Sequence, residues 1–235
     1  MKKNIITITP TNQKNDNLFT IHPATNFIPD WYRVSPPKAP GAKGELDARS
    51  GTSTATYKKC TPFQEAMTIG YIVCTSADIE VVDVEGQKIF LWKTNKLLVS
   101  PHAPWQTNGL PIPNGYSGIA HKFINEFSIR TPKGISTLFV NPLNRNDLPF
   151  LSISGVVDTD NYDVDINFPF LIKDSFIGII PKGTPIVQLI PFERKRWERK
   201  YKKYDPVKFQ KSLDRFNSII KRAYKNIYWV RKDYT

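Results

Sequence analysis

Arg145 stands between Asn144 and Asn146 in the stretch Pro142-Leu-Asn-Arg-Asn-Asp-Leu148, a grouping suited to an anion. A guanidinium fork grips phosphate through two parallel hydrogen bonds, and flanking amides add donors. The same residues also make a solvated turn held by asparagine side chains. A second group, His102, Trp105, Gln106 and Asn108, sits where an indole among polar donors offers a platform for a base or sugar, or else caps the β body. A third, Asp158-Thr159-Asp160, places two carboxylates close together, either to contact a ligand or to close an Asx-type hairpin turn.

Other chemistries find no support. His22, His102 and His121 are widely spaced, without a His-x-His or His-x-Glu pair, so no metal-ligand cluster is expected. Cys60 and Cys74 form no Cys-x-x-Cys, which argues against a disulfide framework or zinc site and fits a reducing compartment. There is no Gly-x-Ser-x-Gly elbow and no Gly-rich loop before Lys-Ser/Thr. The opening MKKNIITITPTNQKND turns polar too soon for a secretion signal, and no apolar run approaches the ~18 residues of a membrane span. The expectation is a soluble protein of the cytoplasm with no membrane partner.

Three stretches must position these residues. Residues 1–44 are expected to form an extended arm, since 22–44 combine five prolines with the anchors Phe27, Trp31 and Tyr32. Residues 45–192 read as a β domain. Within it, 79–92 reads as a hairpin about Glu85-Gly86, and 101–118, with four prolines and three glycines, as a long irregular loop. Strands are expected at 137–140, 151–157, 164–170, 176–180 and 186–190, punctuated by Pro and Gly at the spacing of a sandwich or barrel. In residues 193–235, Asp205-Pro206 starts a helix whose Phe209, Leu213, Phe216, Ile220, Tyr224 and Ile227 recur on one face. The net charge of +12 is concentrated there: from Glu193 to Thr235, 15 Lys+Arg face 5 Asp+Glu. A basic helix invites nucleic-acid binding through phosphate contacts, or it docks its apolar face and leaves the charges solvated.

In order and spacing, Pro132-Lys-Gly134, Pro142 to Arg145, Gly155-Val-Val-Asp-Thr-Asp-Asn-Tyr162 and Gly183/Ile186/Gln188 resemble the trimeric dUTP pyrophosphatases. The resemblance implies a mainly β, dUTPase-like β-barrel or β-clip body with an N-terminal arm and a C-terminal amphipathic helix. It also implies a homo-oligomer, possibly a trimer, with the pocket between subunits. Asp158 would take the place of the water-orienting carboxylate, with Asp160 beside it, Tyr162 beneath the base and Gln188 in the closing strand. Ile72 stands where that family has a metal-side aspartate, Asn161 adds a residue before Tyr162, and no Gly-rich terminal arm follows. Phrases such as Phe-Val-Asn-Pro-Leu-Asn-Arg145 and Lys182-Gly-Thr-Pro-Ile-Val-Gln-Leu-Ile-Pro-Phe192 also resemble a family encoded by tailed bacteriophages and some bacteria. That places the protein in an infected host cell or in the virion.

The expected function is therefore non-hydrolytic binding of a nucleotide or other phosphorylated small molecule. Asn144, Arg145, Asp158, Asp160, Tyr162, Gln188, His102 and Trp105 would serve as ligand residues, without a cofactor. The alternatives are a phage assembly protein, a magnesium-dependent nucleotide pyrophosphohydrolase with Asp158 as its catalytic carboxylate, and a nucleic-acid binder acting through residues 193–235.

Overall fold

Short β-branched and aromatic runs dominate this chain, and the computed structural model, which describes residues 4–11, 21–46, 50–219 and 223–234, is mainly β. The strands are Thr7–Pro10 (β1), Ile21–Pro23 (β2), Tyr71–Cys74 (β3), Ile79–Val84 (β4), Gln87–Leu91 (β5), Val99–Pro101 (β6) and His121–Phe123 (β7). Phe127–Arg130 (β8), Ile135–Val140 (β9), Phe150–Ser152 (β10), Gly155–Val157 (β11), Phe168–Ile172 (β12), Gly178–Ile180 (β13) and Pro185–Glu193 (β14) complete them. The α-helices are Asp30–Val34 (α1), Thr61–Thr68 (α2), Pro206–Asn217 (α3) and Ala223–Ile227 (α4).

The strands fall into a five-stranded sheet ordered β11-β9-β14-β3-β2, a four-stranded sheet β10-β12-β7-β6, a three-stranded sheet β13-β4-β5 and the pair β1-β8. Among the described residues none of these closes into a barrel, which corrects that expectation. The stretch 151–157, read as one strand, explains part of the difference. It breaks at Ile153 and Ser154, so β10 joins one sheet and β11 another. The expected strand over 164–170 begins only at Phe168.

Phenylalanines fill the space between the sheets. Phe123 stacks on Phe170 with ring centroids 3.9 Å apart, Phe150 meets both rings edge-on, and Phe168 lies against Phe139. Each such ring contributes about 1.5–3 kcal/mol on burial. In β12, Phe168, Phe170, Leu171 and Ile172 are buried, as a strand covered on both faces requires. The β4–β5 hairpin turns at Glu85 and Gly86, both with positive φ, the type I′ bend that suits the twist of its strands. Gly70 has φ +73°, and a Cβ there would meet the Leu189 carbonyl oxygen at 1.9 Å. Only glycine lets β3 enter alongside β14 at this point.

Residues 22–44 differ from the expected arm, because a 3-10 turn over Ala24–Phe27 and α1 interrupt the extended chain. Pro29 presets the backbone before α1 and Asp30 complements its N-terminus. The C-terminal helical periodicity resolves into α3 and α4, with Ile220 outside the described residues. No helix among the described residues is long and apolar enough to cross a membrane.

Candidate functional site

The loop that follows β9 is shaped by Asn144, whose φ of 60° falls in the left-handed region that asparagine tolerates. Its Nδ2 donates to the Phe63 carbonyl at 3.2 Å, tying the loop to α2. Arg145 turns inward and grips Asp147, with Nε to Oδ1 and Nη2 to Oδ2 both at 2.9 Å, while Trp31 Nε1 donates to the same carboxylate at 3.2 Å. Partial burial pushes the Asp147 carboxyl up, but the Arg145 hydrogen bonds and charge, with Trp31, outweigh that and hold it below the usual carboxylate range. The guanidinium therefore already has a carboxylate partner.

Two clefts open beside this pair, and both are lined by Trp31 and Asp147. One, of about 430 Å³, is lined by Trp31, Phe63, Asn144, Asn146 and Asp147. The other, of about 380 Å³, runs past Phe27, Pro29 and Arg145 to Pro185. Trp31 belongs to an aromatic cluster with Tyr32, Tyr57 and Phe63, which holds its indole in place. An indole and a phenyl wall with amide donors and a carboxylate can receive a planar heterocycle, and the nearby guanidinium can receive an anion.

Gln188 is wholly buried in β14. Its Oε1 accepts from Leu143 N at 2.9 Å, and its Nε2 donates to the carbonyls of Ala66 and Ile69 at 3.0 and 2.7 Å. It thus satisfies the C-terminal carbonyls of α2 and pins that helix to the loop. It positions the cleft rather than facing it.

Asp158 and Asp160 lie elsewhere. Val157 pairs with Thr137 near the start of β9, whereas Arg145 follows the far end of that strand, which lies three residues or roughly 10 Å further along at Val140. There Arg194 closes a clamp. Its Nη1 donates to Asp160 Oδ1 at 2.7 Å and lies 3.1 Å from Asp158 Oδ1, and its Nη2 donates to Asp160 Oδ2. Ser136 Oγ donates to Asp158 at 2.6 Å, and Gly134 N donates to Asp160 at 2.8 Å. The Arg194 hydrogen bonds, then that of Gly134, pull the Asp160 carboxyl down to about 2. Beneath lies a buried hydroxyl relay, with Thr159 2.7 Å from Thr131 and 2.9 Å from Thr137. A magnesium ion would have to displace the guanidinium, so the residues do not fit a divalent-cation site. Tyr162 closes the turn with its backbone N–H on the Asp158 carbonyl and is 42% exposed.

The second group, from His102 to Asn108, follows β6, whose Pro101 pairs with His121 of β7. His102 Nδ1 contacts Gln106 Oε1 at 3.3 Å, and Trp105 is 80% exposed. His102 Nε2 and His121 Nδ1 are buried without a hydrogen-bond partner, and burial pulls the His121 ring below its ordinary pKa. No three His, Cys, Asp or Glu side chains converge as metal ligands among the described residues. The Cys74 thiol is buried and pushed up to about 12, so it is no nucleophile.

Asn144 and Arg145 are thus brought together with Trp31, Phe63 and Asp147, while Asp158 with Asp160, and His102 with Trp105, form separate groups. Sequence reasoning assigned Trp31 to packing and counted Arg194 only within the tail charge. The alternation of one acidic turn and a cation two residues past Phe192 was the available signal for the clamp. No family model matches the sequence, and no curated protein matches it.

Proposed function

We propose that this chain is a non-hydrolytic binding protein for a nucleotide, with the base against Trp31 and Phe63 and the phosphate on Arg145. The observation that carries this reading is the pair of clefts meeting at Trp31 and Asp147, one aromatic with amide donors and the other bordered by the guanidinium. Phosphate would replace Asp147 on the same donors, exchanging one charge-assisted fork for another. Asp158 stands beside Ser136 near the opposite end of β9 and is held by Arg194 and Ser136. A ligand in the cleft therefore meets no water-orienting carboxylate from that turn of the same chain, which is why we favour binding over hydrolysis. The dUTPase-like kinship, a phage setting and a homo-oligomer belong to the same proposal.

Thermal unfolding with a panel of nucleosides and nucleotides tests it, because a ligand specific for the folded form raises the midpoint. At ~100 times Kd the gain is about 2.7 kcal/mol. Trp31→Ala should abolish the shift with bases and nucleotides alike, and Arg145→Lys should weaken nucleotides more than nucleosides. No shift with any member of the panel at millimolar concentration would refute the reading.

A further inference from the structure

Beyond β14 the chain runs exposed from Arg194 to Ser218 before it returns to the body. One end is fixed by the Arg194 clamp. At the other, Trp229 Nε1 donates to Glu65 Oε1 at 3.1 Å, Lys232 pairs with the same carboxylate at 2.5 Å, and Tyr234 meets Tyr71 edge-on. Between these anchors Trp197, Tyr201 and Tyr204 are 87%, 86% and 74% exposed. Phe209, Leu213 and Phe216 recur along α3 at steps of four and three residues, and all are exposed too. A tethered stretch with so much bare apolar surface is shaped for an apolar counterpart.

Its charge states what kind. Arg199, Lys200, Lys202, Lys203, Lys208 and Lys211 pair with no carboxylate among the described residues. The acids of this stretch are occupied: Glu198 by Arg196 at 3.1 Å, Asp205 as the α3 cap accepting from Lys208 N at 2.9 Å, and Asp214 by Gln210 at 2.8 Å. An amphipathic helix with cations on its polar face, preceded by interfacial aromatics, lies in the plane of a bilayer surface.

We propose that residues 195–219 are a peripheral docking surface for an anionic lipid bilayer. Phe209, Leu213 and Phe216 enter the acyl boundary, Trp197, Tyr201 and Tyr204 sit at headgroup level, and the cations meet lipid phosphates. The earlier expectation of no membrane partner rested on the lack of a spanning segment, and lying on a bilayer needs none. Single-stranded nucleic acid would engage the same cations and the rings of residues 197–204, but it leaves the α3 stripe bare. A second copy meeting α3 against α3 would set like charges face to face.

The full-length protein is sedimented with phosphatidylcholine vesicles and with vesicles containing about 30% phosphatidylserine. Binding should favour the anionic vesicles and weaken with salt. Phe209→Ser/Leu213→Ser/Phe216→Ser should lower the partition by at least about tenfold, while the thermal midpoint, set by the β core that these side chains lie outside, moves little. Lys200→Glu/Lys203→Glu should lower it by about fivefold or more per site. Absence of binding to anionic vesicles, or binding that survives the apolar triple substitution, overturns the proposal. Single-stranded DNA binding without vesicle binding also overturns it and assigns the tail to nucleic acid. None of these outcomes depends on the Trp31 cleft.

Discussion

Arg145 and Arg194 differ from the lysines and arginines of residues 199–211 in one respect that the sequence cannot display: each already holds a carboxylate. In the body, cations are used inward. Arg145 orders the loop beside α2, Arg194 latches the start of the tail, and Lys88 closes on Asp83 at 2.9 Å within the β4–β5 hairpin. In the exposed stretch, cations of the same residue types face water. Residue type therefore says where a charge is, and pairing says whether a partner can have it. The contrast also separates positions that the fold needs from positions that only a ligand would miss.

The sharpest way to break that contrast is at Gly70, where the body has no room to adjust. Gly70→Ala combines an unfavourable φ of +73° with a backbone collision at Leu189. It should destabilise by about 4 kcal/mol or more. Denaturant unfolding near the wild-type midpoint would show that β3 and β14 are not in contact as described. Gln188→Leu comes next. It removes the buried partner of Leu143 N and of the Ala66 and Ile69 carbonyls at the end of α2, which should lower stability by about 2–4 kcal/mol by the same measurement. A stable Gln188→Leu protein that lost nucleotide binding would instead make the glutamine a ligand residue.

Acid should dissect the clamp. The folded-state value of Asp160, about 2, lies below the ordinary 3.8, so its contribution is complete above about pH 4 and is lost as pH falls toward 2. Thermal midpoints followed over that window should drop for the wild type. The drop should be smaller in Asp160→Asn, which lacks this titration and is less stable at neutral pH. Parallel pH curves for the two proteins would mean that Arg194 does not hold the carboxylate.

Much of the β character was legible because alternation and turn residues are local. Glu85-Gly86 announced its hairpin, and the strand core of β9 and β14 followed from Thr137–Val140 and Ile186–Ile190. The division of 151–157 between two sheets was not legible, since it depends on which distant strand, β12 or β9, each half meets. The candidate site was half legible for the same reason. Asn144 and Arg145 declared themselves by type and Asp147 lies two residues on, but Trp31 and Phe63 join them only through contacts 116 and 81 residues apart in sequence. The Asp158-Asp160 turn was visible, and its neutralisation by Arg194 was not, because nothing local marks an ion pair that spans 34 residues.

The finest test of the contrast converts a committed cation into an available one. Asp147→Asn takes away the carboxylate that holds Arg145 and keeps the shape of the side chain. The Arg145 side chain is 13% exposed and that of Asp147 39%, so losing the carboxylate leaves a mostly buried guanidinium unpaired and should cost about 1–3 kcal/mol of stability. Binding should respond in the opposite sense. With its internal competitor gone, the guanidinium should take phosphate more tightly, and nucleotide affinity should rise by a few-fold to about tenfold, while nucleoside affinity stays level or falls with the lost carboxylate. Isothermal titration with a matched nucleoside and nucleotide reads both numbers from one variant. A nucleotide affinity that falls together with the nucleoside would mean that Asp147, not Arg145, is the group the ligand needs. The body would then read its ligand through an acid, and phosphate recognition would have no place in this cleft.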